Sequence, residues 1–320
     1  MEKLKVPYGL NNLNQLISAE KATKGAAYHC PCCGSKLVHR AGEIRASHFA
    51  HSSDSNCSLE SILHITAKKL IVGAINTNSE SLRNISLRNH CQSCGVEFNT
   101  NLPFKTFTGA NEEVRIAEYI CDVVGYRGNE VALAIEVLNT HKVDLKKAKN
   151  LPIYWVELKA EDVIANPYQW NPTQSNLKAS FCTDCKSHIQ HVESVASKWE
   201  VDHNLYSAIK KPNLAPYIAD TEICFKCHEE IPVFWWQGVP FCETEPPNPK
   251  PKTIKYQSSK QYGGSYWANT CAKCNVIQGD NYLFIFDNAP FKSMPISNKG
   301  THLQIGAATS EFMKIINRNF

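Results

Sequence analysis

The chain has 320 residues, 43% of them hydrophobic, and a formal net charge of +4. That length supports more than one core. No segment reaches the roughly 18 uninterrupted apolar residues of a membrane helix, and the charge is too small for a polycation, so a nucleic-acid partner would need a local basic surface.

Ten of the fourteen cysteines form five C-x-x-C pairs: Cys30 and Cys33, Cys91 and Cys94, Cys182 and Cys185, Cys224 and Cys227, Cys271 and Cys274. This spacing lets two thiolates face one tetrahedral zinc ion. The competing reading is a secreted, disulfide-stapled protein. The opening MEKLKVPYGLNN has no apolar signal core, and the pairs recur in one form, so a reducing cytoplasmic setting with no membrane is expected.

In chain order, residues 1–28 read as a hairpin. YHCPCCGSKLVHRAGEIRASHFAH (28–51) reads as a zinc knuckle with Cys30, Cys33, His48 and His51 as ligands. Cys57 competes for the fourth place, because two histidines so close together need not both reach the metal. Cys32 is left free.

Ser58 is a fair N-cap for a helix over SLESILHITAKKLIV. At 100° per residue, Leu59, Leu63, Ala67 and Leu70 share one face. Glu60, His64 and Lys68 lie four apart in a polar stripe beside it. That stripe is either ordinary i,i+4 pairing in water or a row of groups at the rim of a core.

CQSCGVEF (91–98) and FCTDCKSH (181–188) look like the two halves of one zinc ribbon, split by an insertion. The insertion reads strand (IAEYICDVVGYR), Gly-Asn turn, strand (EVALAIEVLNTH), short Lys-rich helix, strand (PIYWVELK). A helical pattern follows over 191–212. The final segment carries Cys224, Cys227, Cys271 and Cys274 around Trp235, Trp236 and Trp267. Cys242 reads as a small buried residue. Boundaries fall at 1–57, 58–190, 191–219 and 220–320, and about three zinc ions are expected.

Chemistry, if present, lies in the insertion. Asp122 and Glu136 sit in adjacent apolar strands, where a lone buried carboxylate is costly unless paired or bound to a cation. Two converging carboxylates suit Mg2+ or Mn2+, which can activate water and stabilise charge on a phosphate. Lys147 or Lys159 would add positive charge, and His141 lies just beyond Glu136. The plainer reading is that both acids pair with lysines. Glu157 and Lys159 form a second acid-x-Lys element on one strand face.

The run CPCCG…HFAH followed by ES-xx-H-xxx-K (Cys30, Cys33, His48, His51, Glu60, His64, Lys68) resembles the competence protein CoiA-like nucleases. CDV…AIEVLNTHKVDLKK resembles the core of the PD-(D/E)XK, or restriction-endonuclease-like, superfamily at Asp122, Glu136, His141 and Lys147. The resemblance implies an α/β (α+β) fold: a restriction-endonuclease-like mixed sheet inserted in a zinc ribbon, with an N-terminal knuckle and a C-terminal ribbon. It implies a Mg2+-dependent nuclease acting on DNA, with Asp122 and Glu136 holding the metal, Glu60 completing the acidic cluster, Lys147 stabilising charge, and His64 and His141 lining the site. One position departs: the E-x-K of the superfamily is E-V-L here, with Leu138 in place of lysine. The alternative is a catalytically inactive, zinc-dependent nucleic-acid-binding or protein-interaction scaffold.

Overall fold

The structure, a computed structural model, describes residues 6–42, 46–52, 57–139 and 142–297. His141 and the end of the last predicted segment therefore lie outside the described residues. The chain divides into two compact units, one of Met1–His90 with Glu97–Ser180, the other of Cys91–Val96 with Phe181–Phe320.

The first unit begins with a sheet of five short strands: β1 (Tyr8–Leu10), β2 (Leu16–Ser18), β3 (Tyr28–His29), β4 (Lys36–Arg40) and β5 (His48–His51), ordered β2-β1-β3-β4-β5. The hairpin read over 1–28 is present as β1 paired antiparallel to β2. Its turn is shaped by Asn11, whose Oδ1 accepts the backbone N–H groups of Leu13 and Gln15, both at 2.9 Å. Gly9 is needed for packing: a Cβ there would meet Tyr28, Leu37 and Phe49 at 3.2–3.3 Å.

Helix α1 (Leu59–Ser79) starts where the cap predicts, with Ser58 Oγ accepting the Ser61 N–H at 3.0 Å. Its buried face runs through Ile62, Thr66, Ala67, Ile71, Ala74, Ile75 and Asn78. The apolar face expected through Leu59 and Leu63 is thus rotated; Leu59 is 44% exposed. Ile62 and Ile71, both fully buried, lie outside the expected face and draw the buried stripe toward them.

Next come β6 (Ser86–His90), β7 (Glu97–Asn101), β8 (Gly109–Ile116), β9 (Tyr119–Arg127), β10 (Glu130–Leu138), α2 (Leu145–Asn150), β11 (Trp155–Lys159), α3 (Ala160–Ala165), β12 (Gln169–Trp170) and β13 (Pro172–Ser175). The main sheet has the order β13-β11-β10-β9-β8, and β12-β6-β7 form a smaller one. β8, β9 and β10 are an antiparallel meander; β11 returns parallel to β10 after α2. The β9–β10 turn uses Gly128 at φ +61°. The stretch read as one strand from Ile116 is instead the end of a hairpin, since β8 stops at Ile116 and the chain turns through Ala117 at φ +53°. Ala67, Ile71, Val123, Ile135, Val137 and Val156 share one core with α1. Cys121, Val124, Ala134, Leu151 and Trp155 form another.

In the second unit, α4 (Thr183–Lys198) is followed by β14 (Tyr206–Ser207), β15 (Tyr217–Ile223), β16 (Glu230–Trp235), β17 (Ile254–Ser259) and β18 (Gly264–Asn269). β14-β15-β16 form one sheet and β17-β18 another. The helix expected over 191–212 begins earlier and ends earlier. Cys182 is its N-cap residue, and Glu200 breaks it at φ +54° before an Asp202 side-chain turn. Asn269 spans the two sheets: its Oδ1 accepts the Phe234 N–H at 2.8 Å and its Nδ2 donates to the Phe234 carbonyl at 2.9 Å. Cys242 is buried at 8% exposure, with its thiol donating to the Thr244 carbonyl at 3.2 Å. Among the described residues no helix is long and apolar enough to cross a membrane.

Candidate metal centres and acidic site

Three groups bring four possible ligand atoms each within 4.8 Å of one another: Cys30, Cys33, His51 and Cys57; Cys91, Cys94, Cys182 and Cys185; Cys224, Cys227, Cys271 and Cys274. Each could hold a tetrahedral zinc ion. In each Cys pair at 30, 91, 224 and 271, the turn is closed by the N–H of residue i+4 donating to the carbonyl of the first cysteine, at 2.8–3.0 Å. Gly34 and Gly95 take the positive φ this turn requires, while His228 and Asn275 do so without a glycine. The Cys182 pair differs: it lies at the start of α4, so a helix terminus rather than a second knuckle supplies those two sulfurs.

The first group selects Cys57 and leaves out His48. The reason is the period of a strand: His48 and His51 are three apart in β5, so their side chains leave on opposite faces. His48 Nδ1 lies 3.0 Å from the Ala46 carbonyl instead.

One thiol per group is poised as a thiolate. Burial pushes Cys91 up, but the backbone N–H groups of Cys94, Cys182 and Ser93 outweigh it and bring it down to about 6. Cys224 also falls to about 6, burial being overcome by the N–H groups of Cys227 and Lys226. Cys33 falls to about 6 against burial through Ser35, Cys57 and His51. Thiolate character at neutral pH is what zinc ligation requires.

The acidic site lies in the first unit, where β9 and β10 part. Their pairing ends at Ile135 opposite Val123; one step further along each strand stand Asp122 and Glu136. Asp122 Oδ2 takes the place of a ladder carbonyl, accepting the Val137 N–H at 2.9 Å. The same oxygen lies 3.2 Å from His64 Nε2 of α1, and Oδ1 lies 4.0 Å from Lys68 Nζ. Burial would raise the Asp122 carboxyl; the bonds from His64 and Val137, with the charges of His64 and Lys68, leave it below its ordinary value.

Glu136 is 6% exposed and faces α2. Strand alternation sets this, since Ile135 and Val137 pack in the core shared with α1. Lys147 Nζ donates to Glu136 Oε2 at 2.6 Å and to the Ile120 carbonyl at 2.7 Å. Burial raises the Glu136 carboxyl, Lys147 opposes this, and the charge of Asp122 adds to the rise. Glu136 Oε1 is buried without a hydrogen-bond partner. The neighbouring Cys121 thiol, pushed up to about 12 by burial and the Glu136 charge, is only a weak donor.

The structure thus joins His64 to Asp122 and Lys147 to Glu136. It holds the two acids from different helices, and neither belongs to a group of three clustered ligand atoms among the described residues. Glu60 is exposed in the first turn of α1, where its backbone carbonyl accepts from Asn139 Nδ2 at 2.9 Å. Glu157 is buried beside Glu136 in the parallel ladder and accepts from the Val143 N–H at 2.6 Å and from the Thr173 hydroxyl. Lys159 is exposed.

Lys68, a residue of the motif that resembles the CoiA-like nucleases, and Glu113, which the sequence did not single out, complete the neighbourhood. Lys68 is 5% exposed and pairs with Glu113. Glu113 adopts φ +54° within β8, costly for a residue with a side chain. Lys68 is the third member of the Glu60–His64–Lys68 stripe; no local signal marks Glu113.

Fold and sites together define a mixed α/β protein carrying three sulfur-rich ligand groups. Residues 12–60 match the family model described as Competence protein CoiA, N-terminal domain. The match spans Cys30, Cys33, His51 and Cys57 and supports a CoiA-like affiliation. No curated protein and no solved structure matches the chain.

Proposed function

We propose that this chain is a metal-dependent nuclease that cleaves DNA phosphodiester bonds, with a PD-(D/E)XK-like site at the opening between β9 and β10. One observation carries the reading: helix, three-stranded meander, helix, parallel strand, with Asp122 and Glu136 just beyond the last paired residues of adjacent strands. The CoiA-like match at residues 12–60 is consistent with it.

The donor set suits a hard cation. Both groups are carboxylates, and Glu136 Oε1 is a buried acceptor that an ion would satisfy. Mg2+ or Mn2+, when bound, supplies a lowered water pKa and charge stabilisation at the phosphate. The protein's own groups then have separate tasks. Asp122 is kept ionised by His64 and Lys68. Lys147 holds Glu136 and offers the cationic charge that Leu138 does not. Lys68 adds a second buried ammonium on the α1 side.

The second reading is a zinc-dependent nucleic-acid-binding scaffold that does not cut. Leu138 favours it, as does the engagement of Asp122 by His64 and Lys68 and of Glu136 by Lys147. Supercoiled plasmid incubated with Mg2+ or Mn2+ separates the two. Nicking lost in both Asp122→Ala and Glu136→Ala proteins supports the nuclease; retained DNA binding without nicking in either metal supports the scaffold.

A further inference from the structure

The hairpin of β17 and β18 in the second unit carries an aromatic pair that the proposed nuclease site does not use. Strand pairing sets Tyr256 opposite Trp267, with ring centroids 5.6 Å apart and planes at 56°. Alternation gives the hairpin two unlike faces. Tyr266 and Ala268 are buried in the core of the unit. Tyr256, by contrast, is 54% exposed, and Trp267 is half-buried. The Trp267 N–H donates to the Cys242 carbonyl at 2.7 Å, so the backbone under the pair is anchored. A single exposed aromatic residue is ordinary; its surroundings decide what it can do.

The charge around this pair has one sign. Residues 246–279 include Lys250, Lys252, Lys255, Lys260 and Lys273, and neither aspartate nor glutamate. Two of these lysines are neutralised from outside the segment. Lys250 Nζ lies 4.8 Å from the Trp267 ring centroid and 2.7 Å from Glu245 Oε1, and Lys273 pairs with Glu229. Lys255 Nζ donates to Asn275 Oδ1 at 2.6 Å, a neutral partner that leaves its charge intact. Lys252 and Lys260 are exposed, with no carboxylate partner among the described residues. They stand four residues before and four residues after Tyr256, outside the two ends of β17.

We propose that the Tyr256–Trp267 side of this hairpin binds single-stranded nucleic acid. The exposed ring gives an unpaired base a surface on which to stack. The uncompensated ammonium groups on either side meet backbone phosphates and release their counterions. A duplex keeps its bases stacked inside and gains only the charge contribution. An acidic peptide would meet the lysines but leave the tyrosine ring unused. Binding here requires no cleavage, so the assignment stands apart from the nuclease reading.

The test is fluorescence anisotropy of labelled strands with the full zinc-loaded chain and no added Mg2+ or Mn2+. Thymidine and uridine 20-mers are compared with a duplex of the same length and with a polyglutamate peptide. Tyr256→Ala is expected to weaken single-strand binding about tenfold and duplex binding by less than about twofold. Tyr256→Phe should restore the wild-type affinity. Exchanging both Lys252→Gln and Lys260→Gln should flatten the slope of log K against log salt by about 1.4, at about 0.7 per single-strand phosphate contact. Zinc content and thermal midpoint should not move in these surface variants. Dependence on Tyr256 in one 20-mer or in both supports the assignment and tells DNA from RNA. Unchanged single-strand affinity in Y256A, an equal loss for the duplex, or an unchanged salt slope would each overturn it. Tighter binding of polyglutamate than of either strand would overturn it in favour of a protein partner. A chain that nicks no plasmid yet shows Tyr256-dependent binding would remove the nuclease reading and keep this one.

Discussion

Lys147 Nζ lies 2.6 Å from Glu136 Oε2 and also donates to the Ile120 carbonyl, so a single ammonium ties α2 to both strands at the point where they part. With side-chain exposures of 15% and 8%, the pair is largely shielded from water. A shielded carboxylate that loses its cation keeps its desolvation cost and gains nothing in return.

Lys147→Ala is therefore expected to destabilise the first unit by about 3 kcal/mol, near the lower end for breaking a buried pair. Glu136→Gln in the same chain should recover most of that loss, because the neutral amide no longer needs a counter-charge. Urea unfolding of the two single variants and the double variant checks this; purely additive effects would contradict the pairing.

Asp122 predicts an acid-side effect. Its folded carboxyl lies below its ordinary value, chiefly because the bonds from His64 and Val137 outweigh burial. The stabilisation is full above the unfolded value of about 4 and is lost as pH falls through the folded value. Asp122→Asn should lower the thermal midpoint at neutral pH, and the gap from wild type should close below about pH 4. A constant gap down to pH 2 would remove the charge argument.

Asp280 predicts the opposite slope. Burial, only partly opposed by the Phe241 N–H, pushes it up to about 7. Between the unfolded value and that figure the folded state holds the extra proton, so stability falls as pH rises from about 4 to about 7 and then levels. Tyr266 beside it is itself raised by burial and the Asp280 charge. Asp280→Asn should flatten the profile, making the variant the more stable protein at pH 8. Thermal midpoints across this range measure it.

The first ligand group makes a composition prediction. Cys57→Ser should reduce zinc by one ion per chain, whereas His48→Ala should leave the content unchanged, because β5 turns His48 away from the group. Elemental analysis decides. A loss of one ion in H48A instead would mean that His48, not Cys57, is the fourth ligand.

Much of this arrangement is legible in local chemistry. The Cys pairs announce their turns, Ser58 starts α1, and Gly128 marks the β9–β10 hairpin. The parts that escape reading depend on distant neighbours. Lys68 reads as a rim residue until β8 supplies Glu113, and the positive φ of Glu113 has no glycine or asparagine to signal it. The split of Asp122 and Glu136 between two helices follows from where the ladder stops, which no periodicity records. His48 could have been excluded by counting: once β5 is a strand, a spacing of three sends it and His51 apart.

Asn269 carries a last implication. β16 is the outer strand of its sheet, and an outer strand ordinarily offers bare amide and carbonyl groups that recruit another chain. At Phe234 both groups are already taken by one side chain. Both bonds are buried, so the asparagine side chain does the pairing that a further strand would otherwise supply, and exchanging it for leucine would strand a buried amide and carbonyl and should lower the stability of the second unit.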